Sequence, residues 1–432
     1  MKKRTLVASE FNAKNRAHFA LSYEFCRIVA ECENADLIAP GVDNYLARYL
    51  NGILPAHDDH NVQRDFNRLV NGFRKGLGLK NAPTIEPISL DQDYELFFFV
   101  AWSPQSLVEL SRIQNWRGRS KVAVAYLFEQ WTSTLEQDRQ YLKLLDQFDH
   151  VFMLHSACIP RLPAYTRAPC SPLPTGVDCL IATPYPSPPK RVVDVYSFGN
   201  RAAHLHRKLM GLAERGDFFY LYDSLASTDS RVKDWGEHRL LLANTIKRTR
   251  YLMGFNPAAL SIHKADKIAG EHVLPSRLFE GAAGGAIILG SAPQCPEFHE
   301  YFDWPDAVIE ISPEPGDIAA VIKELDAQPQ RTELIRRTNA IRCLQKHDWV
   351  YRWERILATI GMKPLPQLNH RKSLLNDIAD AAMKQDSPAA YPRAGGAPTP
   401  NGPTPKERMS PHQINGLVVS KESSAENKFK CP

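Results

Sequence analysis

Residues 270–293 read GEHVLPSRLFEGAAGGAIILGSAP, and the order of residue types in this stretch decides the fold. Pro275 and Ser276 suit a helix start, the serine as a cap for a free amide. Beyond them Arg277, Glu280, Gly281 and Gly284 recur at helical spacing and share a face, whereas Leu278, Phe279, Ala282 and Ala283 fall mainly on the sides that pack. The run AIILGS (286–291) then reads as a short apolar strand. A helix leading into a strand apolar on both faces is a building unit of a parallel sheet.

Working outward, the same unit repeats. Towards the N-terminus, VVDVYSFGN (192–200) precedes a helix from about Ala203 to Arg215, FFYLYD (218–223) precedes one near 237–249, and YLMGFN (251–256) follows. AVIEI (307–311), GDIAAVIKELDAQ and the long segment from Arg331 to Ile360 continue the series. The first half carries RTLVAS (4–9) before a helical stretch from Arg16 to Ala30, YELFFFVAWS (94–103) before PQSLVELSRI, KVAVAYLFEQW (121–131) before TLEQDRQYLKLLDQF, and HVFMLHS (150–156). Between the halves, the Pro-rich CLIATPYPSPPK (179–190) reads as a linker. The simplest account is two doubly wound α/β domains around a hinge, with ligands at the carboxyl ends of the strands.

Composition narrows the function. A chain of 432 residues with 44% hydrophobic and 9% aromatic content is long enough for two cores. The net charge of +5 is spread thinly, which argues against nucleic acid as a partner, because a phosphate backbone needs a concentrated basic face. The eight cysteines are scattered with no C-x-x-C, so neither a zinc cluster nor a disulfide framework is expected, and reduced thiols of a cytoplasmic protein are. The stretch MKKRTLVASEFNAKN lacks the apolar run of a signal peptide, and no window approaches about 20 uncharged apolar residues, so neither a signal peptide nor a membrane span is expected. A soluble protein is expected, with peripheral contact to a membrane surface left open. The segment 373–385 (SLLNDIADAAMKQ) reads as one short amphipathic helix, and 386–432 is too poor in apolar residues to fold.

If the face carrying Arg277 and Glu280 borders a cleft, its chemistry suits a nucleotide. A carboxylate accepts two hydrogen bonds from a ribose diol, glycines let a ligand approach the backbone, and an arginine or a helix N-terminus meets phosphate oxygens. The plain alternative is an i,i+3 ion pair on a solvated face, worth about 0.2–0.5 kcal/mol. A second feature favours the nucleotide: VDVYSFGN ends in Gly199-Asn200-Arg201 and opens onto a helix with Arg207 and Lys208, a favourable setting for a diphosphate. For Arg207 and Lys208 a solvated basic face explains the pattern equally well.

SRLFEGAAGGAIILGS resembles the donor-binding segment of GT-B-fold glycosyltransferases, family 4 and the spore-maturation-type enzymes in particular. LPTGVD (173–178) is similar to their interdomain P-x-G-V-D, FGNR to their phosphate-binding turn, and DWVYRWERIL (348–357) to the helix that crosses back to the first domain. The resemblance covers about residues 170–360, and the N-terminal half by architecture. It implies an N-terminal acceptor domain (1–175), a linker (176–190), a nucleotide-sugar donor domain (191–345), a crossing helix (346–362) and a mostly disordered tail (363–432). It further implies that Glu280 holds the donor ribose, that Gly199, Arg201, Lys208 and Arg277 serve the diphosphate, and that Gly284 and Gly285 shape the donor pocket. The donor would be UDP- or GDP-linked, the acceptor a glycan or a lipid-linked glycan, and no separate cofactor would be required. The chain departs from the family's Glu-x7-Glu, for His272 stands eight residues before Glu280 and Glu271 is one residue off. The glycine-rich acceptor loop is also missing, since SEFNAKNRAHF has no glycine.

Other constellations carry less. DQD (91–93) has the D-x-D form of metal-dependent GT-A enzymes but precedes its strand, and HDDH (57–60) follows a proline as surface loops do, so no metal is expected. An inverting transfer needs a base near the acceptor hydroxyl, and Glu129 and His155 stand at strand ends of the first domain, with His18 near its first loop. A retaining transfer would need no such base, and the sequence leaves both routes open. So do two rival functions: a nucleotide-sugar epimerase on the same architecture, and a non-catalytic nucleotide-binding sensor or scaffold.

Overall fold

The computed structural model of the chain describes residues 3–40, 88–216, 218–224, 231–256, 270–313 and 318–385, together with residues 260, 268 and 316. The HDDH sequence and the tail expected to be disordered, 386–432, lie outside the described residues.

Two sheets organise the described chain. The first contains β1 (Thr5–Ser9), β2 (Asp36–Ile38), β3 (Tyr94–Ala101), β4 (Ser120–Leu127), β5 (His150–Met153) and β6 (Cys170–Pro172), in the order β2-β1-β3-β4-β5-β6. The second contains β7 (Val193–Ser197), β8 (Tyr220–Tyr222), β9 (Thr249–Gly254), β10 (Ile287–Gly290) and β11 (Ile309–Glu310), in the order β11-β10-β9-β7-β8. Every neighbouring pair is parallel.

Strand β3 shows why. Alternate side chains leave opposite faces of a strand, so Leu96, Phe98 and Val100 enter the core shared with the helix α1 (Ala20–Glu33), while Phe97, Phe99 and Ala101 enter a second core on the other face. With both faces covered, no position in the strand's second half tolerates a polar residue, hence the continuous run LFFFVA. In each sheet the strand order reverses once, between β1 and β3 and between β7 and β9. Crevices for ligands open at such points, beyond the carboxyl ends of the strands.

Six further helices matter for the site: α2 (Ala203–Glu214), α3 (Trp235–Lys247), α4 (Ser276–Ala283), α5 (Pro329–Lys346), α6 (Trp349–Thr359) and α7 (Pro366–Lys384). After the second sheet, α6 returns to the first. Trp349 stacks on Phe25 of α1 with ring centroids 4.3 Å apart, and Trp353 packs on Phe98 of β3 at 5.0 Å. The Trp353 indole N–H donates to Glu33 at the end of α1 (3.0 Å), so the buried nitrogen is satisfied.

Three local expectations change. PQSLVELSRI forms a 3₁₀ segment, Pro104–Arg112, and TLEQDRQYLKLLDQF contributes only two short turns, Arg139–Leu142 and Lys143–Gln147. The chain after 363 does not turn disordered at once, because α7 begins at Pro366 and carries a buried stripe of Leu368, Arg371, Leu375, Ala379 and Ala382. Proline at the first helical position costs nothing, since that amide has no intrahelical acceptor. Residues Met1–Gln385 form one compact unit. No helix among the described residues is long and apolar enough to cross a membrane.

Candidate functional site

At the carboxyl ends of β7 and β9 lies a hollow of about 240 Å³, open to solvent and lined by Ser197, Asn200, Arg201, His206, Phe255 and Arg277, among others. Its floor is the N-terminus of α2, twelve residues long, whose N-cap Ala202 offers no side-chain acceptor to the first amides. Gly199 makes the turn between strand and helix at φ 69°, and its amide donates to an Asp223 oxygen (2.7 Å). A Cβ at Gly199 would lie 3.2 Å from the Arg277 guanidinium, so the glycine lets that group sit close against the turn.

Two guanidinium groups face this hollow. Arg201 donates to the Asp223 carbonyl (2.7 Å) and lies over the Tyr222 ring, while Arg277 donates to the Asn200 carbonyl (3.0 Å) and lies over the Phe198 ring. Neither forms an ion pair with a carboxylate among the described residues. Burial pushes the Arg277 pKa down, and the fields of Glu280 and Asp223 oppose that shift. A partly desolvated cation with only carbonyl partners is poised for an anion.

Glu280 lies one turn deeper on α4 and is 4% exposed. One carboxylate oxygen accepts from Arg239 of α3 at 2.6 Å, and the other is buried without a hydrogen-bond partner among the described residues. Arg239 also donates to Glu24 of α1 at 2.6 Å, so an arginine from the second lobe joins carboxylates of both lobes. Nothing in the sequence signalled this residue. Lys208, expected at the diphosphate, donates instead to the Gly316 carbonyl (2.7 Å) and is absent from the lining of the hollow.

His272 sits between the ends of β9 and β10. Its Nδ1 accepts the Gln294 amide (3.0 Å) and lies 2.6 Å from the Asn256 side-chain amide, so the neutral ring carries its proton on Nε2. The neighbouring Glu271 reaches the first lobe, where one oxygen accepts the Thr132 amide (2.9 Å), and its other oxygen is buried without a hydrogen-bond partner among the described residues. On the first lobe's side, Glu129 accepts the indole N–H groups of Trp102 (3.1 Å) and Trp131 (3.0 Å). His155 is buried against Trp131, and its Nδ1 donates to the Gln130 carbonyl (2.9 Å), which leaves the lone pair of the neutral ring on Nε2. Both candidate bases stand just past strand ends of the first sheet, held by these hydrogen bonds in defined orientations. Among the described residues no group of three His, Cys, Asp or Glu side chains is placed to hold a metal ion.

Gly284 and Gly285 are absent from the lining of this first hollow. They join α4 to the amino end of β10, the edge of the sheet opposite the hollow. Arg191, which precedes β7, donates to the carbonyls of Gly284 (3.0 Å), Thr249 (2.5 Å) and Ile246 (3.3 Å) and stitches this turn together. A Cβ at Gly284 would come within 2.5 Å of Ile246 Cγ2, and one at Gly285, where φ is 64°, within 2.9 Å of the Arg191 guanidinium. These glycines serve close packing of α4 against α3 and a left-handed helix end, and Gly284 also lines a second hollow, of about 280 Å³, beside Glu280. Accordingly Gly284→Ala is expected to lower the unfolding free energy by about 1–3 kcal/mol through overpacking. Ile246→Ala in the same chain is expected to recover part of the loss, measured by urea denaturation; no recovery would place the strain elsewhere.

Residues 201–358, from the basic turn after β7 to α6, match the family model described as glycosyl transferase-like. No curated protein matches the chain. Among solved structures, the chain is similar to HepE of Anabaena in complex with UDP-glucose, at 14% identity over 83% of this chain and 99% of that one, with a TM-score of 0.46. It is also similar to a UDP-forming α,α-trehalose-phosphate synthase from Burkholderia vietnamiensis, at 10% identity over 83% of this chain and 99% of that one, with a TM-score of 0.46.

Proposed function

We propose that this chain, a glycosyltransferase by its glycosyl transferase-like domain and its two-lobed GT-B fold, uses a nucleoside-diphosphate sugar, UDP- or GDP-linked, and a glycan or lipid-linked acceptor. The observation that carries the reading is the hollow where the order of the second sheet reverses. It combines an uncapped helix N-terminus with Arg201 and Arg277, two cations that lack carboxylate partners among the described residues.

In this reading the diphosphate rests on the α2 amides between the two guanidinium groups, with Gly199 at the turn. The bond from the anomeric carbon to the diphosphate oxygen breaks, and negative charge grows on the leaving group. Fixed donors in a partly dry crevice stabilise that charge without reorganising, usually the largest single term in such catalysis. The acceptor hydroxyl oxygen bonds to the anomeric carbon. Its proton passes to Glu129 or His155 in an inverting route, or to the departing diphosphate in a retaining one. His272 Nε2–H is an available donor for a sugar hydroxyl. No resident cofactor is needed in this scheme. The unpaired state of the seven described cysteines fits a reducing, cytoplasmic setting, in which we place a role in polysaccharide assembly, with contact at the inner face of a membrane allowed.

A thermal-shift screen against UDP, GDP, ADP and CDP, and their sugars, tests the donor reading. One nucleotide is expected to stabilise the chain by about 2.7 kcal/mol at a hundredfold excess over its Kd. Absence of stabilisation by every one of them at millimolar concentration would end the reading.

A further inference from the structure

We infer that Arg239 is a positioning residue of the donor site: it aims the Glu280 carboxylate at the ribose hydroxyls and ties that carboxylate to α1 of the first lobe. The inference rests on the donor reading above and adds to it a residue that neither the sequence nor the family match singles out.

The geometry separates this role from that of an ordinary buried ion pair. Arg239 is 7% exposed, and its two carboxylate partners, Glu24 and Glu280, are 2% and 4% exposed. Both contacts are 2.6 Å long. The partners differ in what else they bind. Glu24 uses its second oxygen fully, accepting the Asp178 amide (2.8 Å) and the Trp349 indole N–H (2.9 Å), and so is fixed to the hinge and to α6. The second oxygen of Glu280 is buried and accepts nothing among the described residues. A buried carboxylate oxygen without a donor is costly, the more so when the group is charged. Its cost is relieved when a hydrogen-bond donor arrives.

The local charge says which kind. Glu24, Arg239 and Glu280 together carry one net negative charge, which repels phosphate and accepts hydroxyl hydrogens. Beside them is a hollow of about 280 Å³, lined by Asp178, Leu242, Ala243, Ile246 and Gly284, among others, as well as the three charged residues. One turn nearer the carboxyl ends of the strands, Arg277 faces the other hollow, where positive groups gather. A ligand with a neutral diol next to an anionic diphosphate matches this division, and a nucleoside diphosphate is such a ligand. Because Arg239 is held by Glu24, Glu280 cannot swing towards the ligand without drawing on α1, so recognition of the sugar ring of the nucleoside is linked to the first lobe. Burial opposes the charge on Arg239, yet the fields of Glu24 and Glu280 raise its pKa above the ordinary arginine value, so the group stays cationic throughout the working range.

Isothermal titration of the full chain with UDP, with 2′,3′-dideoxy-UDP and with inorganic pyrophosphate tests the assignment, with the guanosine pair used if the screen selects GDP. The wild-type chain is expected to prefer the ribonucleotide by about tenfold or more, the worth of charge-assisted hydrogen bonds to a hydroxyl pair. Arg239→Met is expected to bring that preference close to one while pyrophosphate affinity changes less than about threefold, and Arg239→Lys to keep an intermediate preference. Glu24→Gln, which weakens the tie to α1 and keeps Arg239, is expected to give an intermediate value too. A folded Arg239→Met chain with the full preference overturns the inference. If that variant does not fold, unchanged preference in both Arg239→Lys and Glu24→Gln overturns it, as does nucleotide binding by the wild type without any preference. Failure of the wild type to bind nucleotides or pyrophosphate is a different result, since it removes the donor reading itself.

Discussion

Replacing Arg277 by methionine is expected to reduce kcat/KM for the nucleotide-sugar donor by about a hundredfold to a thousandfold, the usual cost of deleting one preorganised donor from developing charge. Two properties of the side chain set this apart from loss of an ordinary surface arginine. It is partly buried beside the Gly199 turn, with a carbonyl and an aromatic ring as neighbours and no carboxylate ion pair among the described residues. Burial therefore disfavours its charge in the free protein, and the downward pKa shift expresses that cost. Methionine keeps the hydrophobic stem and removes a cation whose burial is only partly offset by the fields of Glu280 and Asp223, so the thermal midpoint is expected to hold or to rise. Arg277→Lys retains charge but loses the planar fork that meets two phosphate oxygens at once, and an intermediate loss of about tenfold is expected. Steady-state kinetics and calorimetry on the same preparations decide the matter. Unchanged kcat/KM, or a loss of activity matched by a fall in the midpoint, would remove Arg277 from the donor site.

The legible parts of this chain are those where a local pattern and the tertiary setting agree. LFFFVA in β3 and IILG in β10 are apolar without interruption because both faces of each strand are covered, and a strand so covered announces itself. The hollow at the ends of β7 and β9 was legible for a similar reason, since a glycine turn at a strand end followed by a helix start places amides and nearby arginines at one edge of the sheet. Periodicity tells which residues share a helix face, however, and not what that face meets. Gly281 and Gly284 share a side of α4 with Glu280, yet the space beside them is taken by Leu252 and Ile246.

Helix α3 hides its key residue more completely. Leu240 and Leu241 are exposed, at 46% and 69%, while Arg239 is buried, the reverse of what hydrophobicity suggests. The reason is a carboxylate 215 residues earlier and another 41 residues later, and no local window contains either. The same holds for α7, whose buried stripe is broken by Arg371, so that the stretch looks too polar to belong to the folded unit.

Arg371→Met is accordingly expected to lower the unfolding free energy by about 3–5 kcal/mol, the cost of removing one partner from a buried ion network. Arg371 donates to both oxygens of Asp348 (2.8 and 2.7 Å) and to one of Asp178 (2.7 Å), whose other oxygen is held by Arg27 of α1. Asp178 and Asp348 are 2% and 0% exposed, so a methionine would leave two carboxylates in a dry hinge with Arg27 as their remaining close cation. Burial raises the Asp178 pKa, but Arg371 and Arg27 outweigh it and hold the carboxyl below its ordinary range. A carboxylate with a depressed folded pKa contributes stability above the unfolded value of about 3.9 and loses it as pH falls through the folded value. Without Arg371 the folded pKa rises, so Asp178 takes up its proton at higher pH in the variant. The deficit relative to wild type should then be full at pH 7 and smaller at about pH 3.5, below the unfolded value. Asp348→Asn combined with Arg371→Met removes a charge of each sign and is expected to be less destabilised than Arg371→Met alone. Urea denaturation of the full chain at both pH values measures each quantity. A loss under about 1 kcal/mol, or a deficit that grows on acidification, would show that α7 is fastened by its apolar stripe and that the hinge does not depend on its arginine.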